Sequence, residues 1–393
     1  MSGSVIAASA RTPIGKLGGA LSAVSAAELG GSAIAAALAR SGIAPDQVDH
    51  VVMGQVLQAG QGQNPARQAA AKGGIPMTVG AVTVNDVCLS GMHAIYLADQ
   101  MIAAGEADVV VAGGMESMSR APYLLPGARA GYRLGDVTAV DALVHDGLWC
   151  SFDDVHMGAG TEQYTQGASI SRAAQDELAA KSHERAADAI KAGRLETEIV
   201  PVSVPQRGGP LVVETDEGVR PETSVATLGR LKAAFAPDGT VTAGNASQIS
   251  DGGAAVVLVS RARAAELALS APAELVGFAM VAGPDPSLLT QPSRAILLAL
   301  QRAGLRVADV DLFEINEAFA AVCVASMADL GIIDDVVNVN GGAIALGHPI
   351  GMSGARVVLT LAEELRRRGG CVGAAALCGG GGQGFATIVR VGP

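Results

Sequence analysis

The chain has 393 residues, 49% of them hydrophobic and 3% aromatic, and carries a net charge of −11. This acidic balance excludes the basic surface typical of nucleic-acid binding, and the apolar content excludes disorder. No apolar run reaches the length of a membrane span, and the N-terminus lacks a basic segment before its short apolar run, so we expect neither a transmembrane helix nor a secretory signal.

The predicted elements, in chain order, indicate an internal duplication. Residues 37–54, ALARSGIAPDQVDHVVMG, and 299–316, ALQRAGLRVADVDLFEIN, align without a gap. Each predicts a helix end, a glycine stop, a short loop and an apolar strand. A strand, a helix and a strand then follow in each half, expected at 82–85, about 89–104 and 107–114, and at 337–340, about 352–368 and 371–380. Since the strands are continuous apolar runs, we expect them to be buried on both faces.

A stretch of different character separates the halves. Residues 118–248 hold six of the eleven aromatic side chains, and one helix is predicted at about 171–192 with Ser171 as its N-cap. We therefore predict an N-terminal half at 1–117 completed by about 249–270, a loop domain at 118–248 and a C-terminal half at 271–393.

The five cysteines are scattered, odd in number and without CxxC spacing. This pattern favours a reducing compartment over a disulfide framework or a zinc site. We expect a cytoplasmic globular protein without a bound metal ion.

Two reactive side chains follow equivalent predicted strands. Cys88 lies where the strand at 82–85 turns into a helix, whose positive end favours the thiolate form. His348 lies in a glycine-rich loop between Gly347 and Pro349, a setting that suits a base or an oxyanion partner. Taken singly, Cys88 could instead be a small buried core residue, and His348 could be a solvent-exposed histidine in a turn.

Two more candidates lie at strand ends of the second half. Cys378 precedes four glycines whose amides are free to form an oxyanion hole. Asn316 could hold a water or donate to an oxyanion, although a helix cap explains it equally well. Strand ends of two duplicated α/β halves converge, so we expect these four side chains to meet. Two thiols, an imidazole and an amide suit acyl transfer through a thioester.

Several segments together resemble the signature segments of the thiolases: NDVCLSG, GGAIALGHPIGMSG, CGGGGQG, NEAFAA and the N-terminal ARTPIGKLGG. The resemblance covers essentially the whole chain. It implies an α/β protein with a duplicated βαβαβαββ fold, αβαβα layers and an inserted loop domain over coenzyme A. It also implies an acyltransferase that joins two acetyl-CoA molecules into acetoacetyl-CoA and CoA, or the reverse, with CoA as substrate and product and no bound cofactor.

By this resemblance, Cys88 carries the acyl group and His348 activates it. His348 and a water on Asn316 would stabilise an enolate, and Cys378 would move the α-proton. The backbone amides of Cys88 and Gly380 would form a second oxyanion hole.

The same resemblance places a further set of residues along coenzyme A and the acyl group: Leu148, His156, Met157, Arg220, Phe235, Ala243, Ser247 and Phe319. The segment DDVHMGAGTEQ (153–163) resembles the acetoacetyl-CoA type of the family, and the bulk of Phe235 and Phe319 would shorten the acyl pocket. Both phenylalanines could instead be ordinary core residues.

The alternatives are a degradative 3-ketoacyl-CoA thiolase of broader chain length, a decarboxylating ketoacyl synthase and a non-catalytic acyl-CoA or lipid carrier. The second cysteine region argues against the synthase, and retention of Cys88, His348, Asn316 and Cys378 argues against the carrier. The resemblance also suggests a homotetramer built as a dimer of dimers. We expect neither nucleic-acid nor membrane partners.

Overall fold

The computed structural model describes residues 4–269 and 273–392. The strands, in chain order, are β1 (Ser4–Arg11), β2 (Gly15–Lys16), β3 (His50–Gly54), β4 (Gly80–Val84), β5 (Val109–Ser117), β6 (Tyr123–Leu124), β7 (Val140–Asp141), β8 (Trp149–Cys150), β9 (Val155–His156), β10 (Val202–Val204), β11 (Leu211–Val213), β12 (Ser250–Ser260), β13 (Ala273–Ala282), β14 (Leu312–Ile315), β15 (Cys371–Gly379) and β16 (Gln383–Val391). The helices are α1 (Ala26–Ser41), α2 (Pro65–Lys72), α3 (Ser90–Ala103), α4 (Met157–Gly167), α5 (Arg172–Lys191), α6 (Val225–Leu228), α7 (Arg261–Glu266), α8 (Gln291–Ala303), α9 (Ala320–Leu330), α10 (Ala343–Leu346) and α11 (Ser353–Arg367).

The two halves share one strand order and one set of strand directions. In the first half the order is β4-β3-β5-β12-β1, with parallel pairs around β3 and antiparallel pairs around β12. The second half repeats the last four of these strands as β14-β15-β16-β13, with a parallel pair followed by two antiparallel pairs and no counterpart of β4 among the described residues. β1 pairs with β13 at Val5–Glu274 and Ile6–Ala273, which joins the halves, together with β2, into one ten-stranded sheet. The predicted duplication is confirmed.

Helices cover both faces of each half. α1 and α2 pack on the outer face of the first half, α8 and α9 on the outer face of the second, and α3 and α11 lie between the halves. In β3, Val51 and Met53 point into the outer core while Val52 points into the central one, because successive strand residues face opposite sides. The five layers are αβαβα, as predicted.

The strand predicted at 337–340 does not form beyond a single bridge between Val337 and Phe313. Asn338 has a left-handed backbone, with φ at 47°, and its side chain takes over the pairing. Its Oδ1 accepts a hydrogen bond from the Ile315 N–H at 2.8 Å, and its Nδ2 donates to the Ile315 carbonyl at 2.8 Å. The side chain thus replaces the backbone ladder expected of the strand predicted at 337–340.

The segment 118–248 contains the predicted helix as α5, and the Ser171 side chain caps it by accepting a hydrogen bond from the Ala174 N–H. A buried ion cluster fastens this segment to the end of β1, where Arg11 bonds Glu198 at 2.7 Å and both oxygens of Asp216 at 2.7 and 2.9 Å. The three domain boundaries stay a prediction, and the border between 270 and 271 lies outside the described residues. Within 4–269 and 273–392, no helix is long and apolar enough to cross a membrane.

Candidate active site

The central helices α3 and α11 meet at their first turns through two glycines. A Cβ placed on Gly91 would lie 2.6 Å from the backbone nitrogen of Ala355, and one on Gly354 would collide with the backbone nitrogen of Met92. Only glycine permits this approach of the two backbones. Ser-Gly opens both helices, in LSGM and MSGA, and this repeat is a sequence signal for the contact that the sequence analysis missed.

The serine in each pair fastens the loop before its helix. Ser90 Oγ accepts a hydrogen bond from the Asp86 N–H at 2.8 Å and donates to the Val87 carbonyl at 2.6 Å. Val87 needs this support, because its φ of 49° is rare for a β-branched residue. Ser353 Oγ donates to the Pro349 carbonyl at 3.0 Å and contacts His348 Nδ1 at 2.6 Å. The loops carrying Cys88 and His348 are thus held in equivalent ways.

These two loops and the end of β15 enclose a cavity of about 310 Å³. It receives Cys88, His348, Cys378 and Gly380 from the predicted catalytic set. Asn316 lies behind its wall, fully buried, with Nδ2 at 3.5 Å from His348 Nε2. The structure therefore brings together all five residues of the predicted catalytic set.

Cys88 is half-buried at the cavity wall. Burial raises the pKa of its thiol to about 12, and the charges of Asp86 and Glu116 add to the rise, although the backbone amides of Gly380 and Cys88 oppose it. The expectation that the helix terminus favours the thiolate is therefore wrong, because desolvation of the sulfur outweighs the dipole. The nucleophile needs a base.

His348 is buried, and the protein around it lowers the pKa of its imidazole to about 3, first through burial and then through the charge of Arg356. The imidazole is therefore neutral over the whole physiological pH range, and one of its two ring nitrogens carries no proton. It is not the solvent-exposed turn histidine of the plainer reading.

Cys378 is the penultimate residue of β15 and is 1% exposed. Burial raises the pKa of this thiol above its usual range, and a charge on Cys88 would raise it further. At neutral pH the cavity therefore holds two protonated thiols beside one neutral imidazole. Such a set can move one proton from sulfur to nitrogen and deliver another from sulfur to carbon.

Most of the residues expected to bind coenzyme A also line the cavity: Leu148, His156, Met157, Phe235, Ser247 and Phe319. The rings of His156 and Phe235 stack at 5.0 Å with an interplanar angle of 24°. Arg220 and Ala243 are exposed and do not line it. The segment that carries Arg220 is nevertheless tied to the cavity wall. Gly218, two residues before Arg220, accepts a hydrogen bond at 3.0 Å from the side chain of Gln248, which lines the cavity.

Glu116 is a buried acid near the site that the sequence analysis missed. Its carboxylate accepts hydrogen bonds from the backbone N–H groups of Val56, Leu57 and Gly351 at 2.9 to 3.2 Å. Burial raises its pKa to about 7, and the three backbone donors limit the rise. Glu116 lies near the end of β5 among apolar residues, and the sequence pattern there does not predict a buried acid beside the site.

Among the described residues, no group of three or more His, Cys, Asp or Glu side chains is arranged to hold a metal ion. All five cysteines, each within the described ranges, are free thiols.

Comparison with known families matches residues 4–262 to the N-terminal domain of thiolase and residues 269–391 to its C-terminal domain. A probable acetyl-CoA acetyltransferase of Mycobacterium tuberculosis is 55% identical over 393 residues, which cover 100% of both chains. An acetyl-CoA acetyltransferase of Thiocystis violacea is 50% identical over 388 residues, 98% of each chain. The crystal structure of the Bacillus anthracis acetyl-CoA acetyltransferase aligns with a TM-score of 0.96 at 40% identity, covering 100% of this chain and 99% of that one.

Proposed function

The chain belongs to the thiolase family, and we propose that it is an acetyl-CoA C-acetyltransferase that interconverts two acetyl-CoA with acetoacetyl-CoA and CoA. The observation that carries this proposal is the presence of Cys88, His348 and Cys378 in one mainly apolar cavity. Full-length relatives named acetyl-CoA acetyltransferase support the same reaction.

In the thiolysis direction, Cys88 gives its proton to His348 and the resulting thiolate attacks the keto carbon of acetoacetyl-CoA. The Cys88 thiol keeps its proton until a base removes it, and the neutral His348 offers an unprotonated ring nitrogen as that base. The backbone amides of Cys88 and Gly380 would stabilise the oxyanion that forms on that carbon.

The bond between the second and third carbons then breaks, leaving acetyl-Cys88 and the enolate of acetyl-CoA. Cys378 donates its proton to the enolate carbon, a role that its raised pKa supports because the thiol stays protonated until then. Asn316 and His348 would hold the enolate oxygen, Asn316 through a water. The CoA thiol gives its proton to the Cys378 thiolate and attacks acetyl-Cys88. Cys88 leaves as a thiolate and takes its proton back from His348, which releases the second acetyl-CoA and restores the site. Condensation is the reverse sequence.

We assign the pantetheine and acyl part of the substrate to the wall formed by Leu148, His156, Met157, Phe235, Ser247 and Phe319. Coenzyme A is longer than the cavity, so its nucleotide end would continue over the protein surface, where Arg220 and Ala243 are exposed. A homotetramer is proposed from the resemblance alone. A cytoplasmic location is proposed because five free thiols suit a reducing compartment.

The test is thiolysis of acetoacetyl-CoA beside a long-chain 3-ketoacyl-CoA at one free CoA concentration. A strong preference for the four-carbon substrate supports the proposal, because Phe235 and Phe319 would close the acyl path. Comparable rates would move the protein to the degradative thiolases of broader chain length. Loss of thiolysis with both substrates, in folded protein, would refute the enzyme assignment.

A further inference from the structure

We propose that Arg356 is a positioning residue that fixes the direction of a hydrogen-bond chain through Asn316 and His348, and with it the tautomer of His348. This inference rests on the proposed function for its kinetic consequence but not for its structural one. Arg356 lies on α11, two residues beyond Gly354 of the glycine contact, and is 1% exposed.

The guanidinium of Arg356 joins an acid to the site amide. On one side it forms an ion pair with Glu314, which is also buried, in β14. On the other side, its Nη2 lies 3.4 Å from Asn316 Oδ1. Glu314, which pairs with Arg356, lies within β14. Asn316, which contacts His348, follows two residues later, directly after the strand ends at Ile315.

Donors and acceptors allow only one direction along this chain. Arginine has donors and no acceptor, so the atom of Asn316 that faces Arg356 must be the carbonyl oxygen. The amide nitrogen of Asn316 then faces His348 Nε2 at 3.5 Å and can only donate to it.

The rest of the chain follows from that first step. Since Nε2 accepts, the proton of the neutral imidazole lies on Nδ1, which donates to Ser353 Oγ at 2.6 Å. Ser353 Oγ in turn donates to the Pro349 carbonyl at 3.0 Å. Every bond from Arg356 to Pro349 therefore points the same way, which leaves Nε2 as the ring nitrogen of His348 without a proton.

A purely structural role would treat Arg356 and Glu314 as a buried ion pair that happens to lie near the site. It would predict that activity changes only as far as folding does. The positioning role predicts a change in the imidazole itself, which folding measurements do not report.

The first variant is Arg356→Lys, which keeps the charge opposite Glu314 but replaces the planar fork by a single ammonium. We expect a folded protein whose kcat for acetoacetyl-CoA thiolysis falls about 10- to 100-fold, with KM changed less than about threefold. The second variant, Glu314→Gln with Arg356→Met, removes the pair without leaving a buried charge. The matched control is Arg11→Lys, which alters another fully buried arginine pair outside the cavity and should leave kcat unchanged in folded protein.

The direct readout is ¹⁵N NMR of histidine-labelled protein, with the His348 signals assigned by their loss in His348→Asn. In the wild type we expect Nδ1 protonated and Nε2 unprotonated; in either Arg356 variant we expect a mixture of tautomers. A single unchanged tautomer in a folded variant would overturn the proposal, as would an unchanged kcat. If the wild type shows no thiolysis but its tautomer still depends on Arg356, the proposed function fails and the positioning role stands.

Discussion

Neither cysteine in the cavity begins as a thiolate, because each sulfur is withdrawn from water and carries a raised pKa. The position of Cys88 after a strand and before a helix was predictable from sequence. The direction of its pKa shift was not, because the burial of the sulfur depends on how distant segments pack around it, and the charge of Glu116 from β5 adds to the rise. The same holds for Arg356, whose contact with Asn316 comes from the packing of α11 on β14.

Cys88→Ala should abolish thiolysis, with kcat reduced by about 10⁴-fold or more, because no other group would carry the acyl chain. Mass spectrometry after incubation with acetyl-CoA should show the acetyl adduct on the wild type and none on the variant. Circular dichroism should be unchanged. An adduct that persists on the variant would refute the assignment of the nucleophile.

At the level of elements, the crossing of α3 and α11 positions the two reactive loops. The helices themselves were predicted to within two residues at each end, and the strand at 337–340 was not, because an asparagine side chain replaced the backbone pairing. The repeated Ser-Gly at the two helix starts was readable in the sequence but acquires its meaning only when the helices touch.

Gly91→Ala should force the two helices apart. We expect a loss of about 1–3 kcal/mol in the free energy of unfolding, since the added methyl group meets backbone rather than a mobile side chain. The loss of kcat should exceed what the unfolded fraction explains, because the Cys88 and His348 loops move with their helices. Gly167→Ala, at the end of α4 with open space around it, is the control and should be neutral. Equal effects of the two substitutions would contradict this account.

Arg11→Met should destabilise the joint between β1 and the segment 118–248. The substitution leaves Glu198 and Asp216 buried without their partner, which costs about 3–5 kcal/mol. Urea unfolding measures the loss, and Arg306→Ala, which breaks an exposed ion pair with Asp309, should leave the unfolding curve unchanged. A loss of less than about 1 kcal/mol for Arg11→Met would show that the cluster is not a source of stability.

At the scale of the whole molecule, the duplication and its layers followed from sequence because helix ends, glycine stops and apolar strands recur in order. The pairing of β1 with β13 did not follow, since both read as ordinary apolar strands and their register is set by how the halves dock.

The stability of the whole molecule should fall as the solution is acidified, in part because of His183. Burial, and next the charge of Arg220, lowers the pKa of His183 to about 4, while the unfolded chain binds this proton near pH 6.5. The contribution of neutral His183 to the free energy of unfolding is therefore complete above pH 6.5 and is lost as the pH falls towards 4. Over that window the free energy of unfolding changes by up to about 1.4 kcal/mol per pH unit. His183→Gln should flatten the pH dependence in that window, measured by urea unfolding at several pH values. An unchanged slope would show that His183 is already protonated in the fold.

The meeting of Gly91 and Gly354 at equivalent positions places the helix crossing on the local symmetry axis that relates the two halves. Had the halves been separate copies of one gene product, the axis would carry the same side chain on both sides, two thiols or two imidazoles. Gene fusion gives each copy its own mutational history. One side could then keep a sulfur and the other a nitrogen base, an asymmetry that a homodimer cannot hold at its own axis.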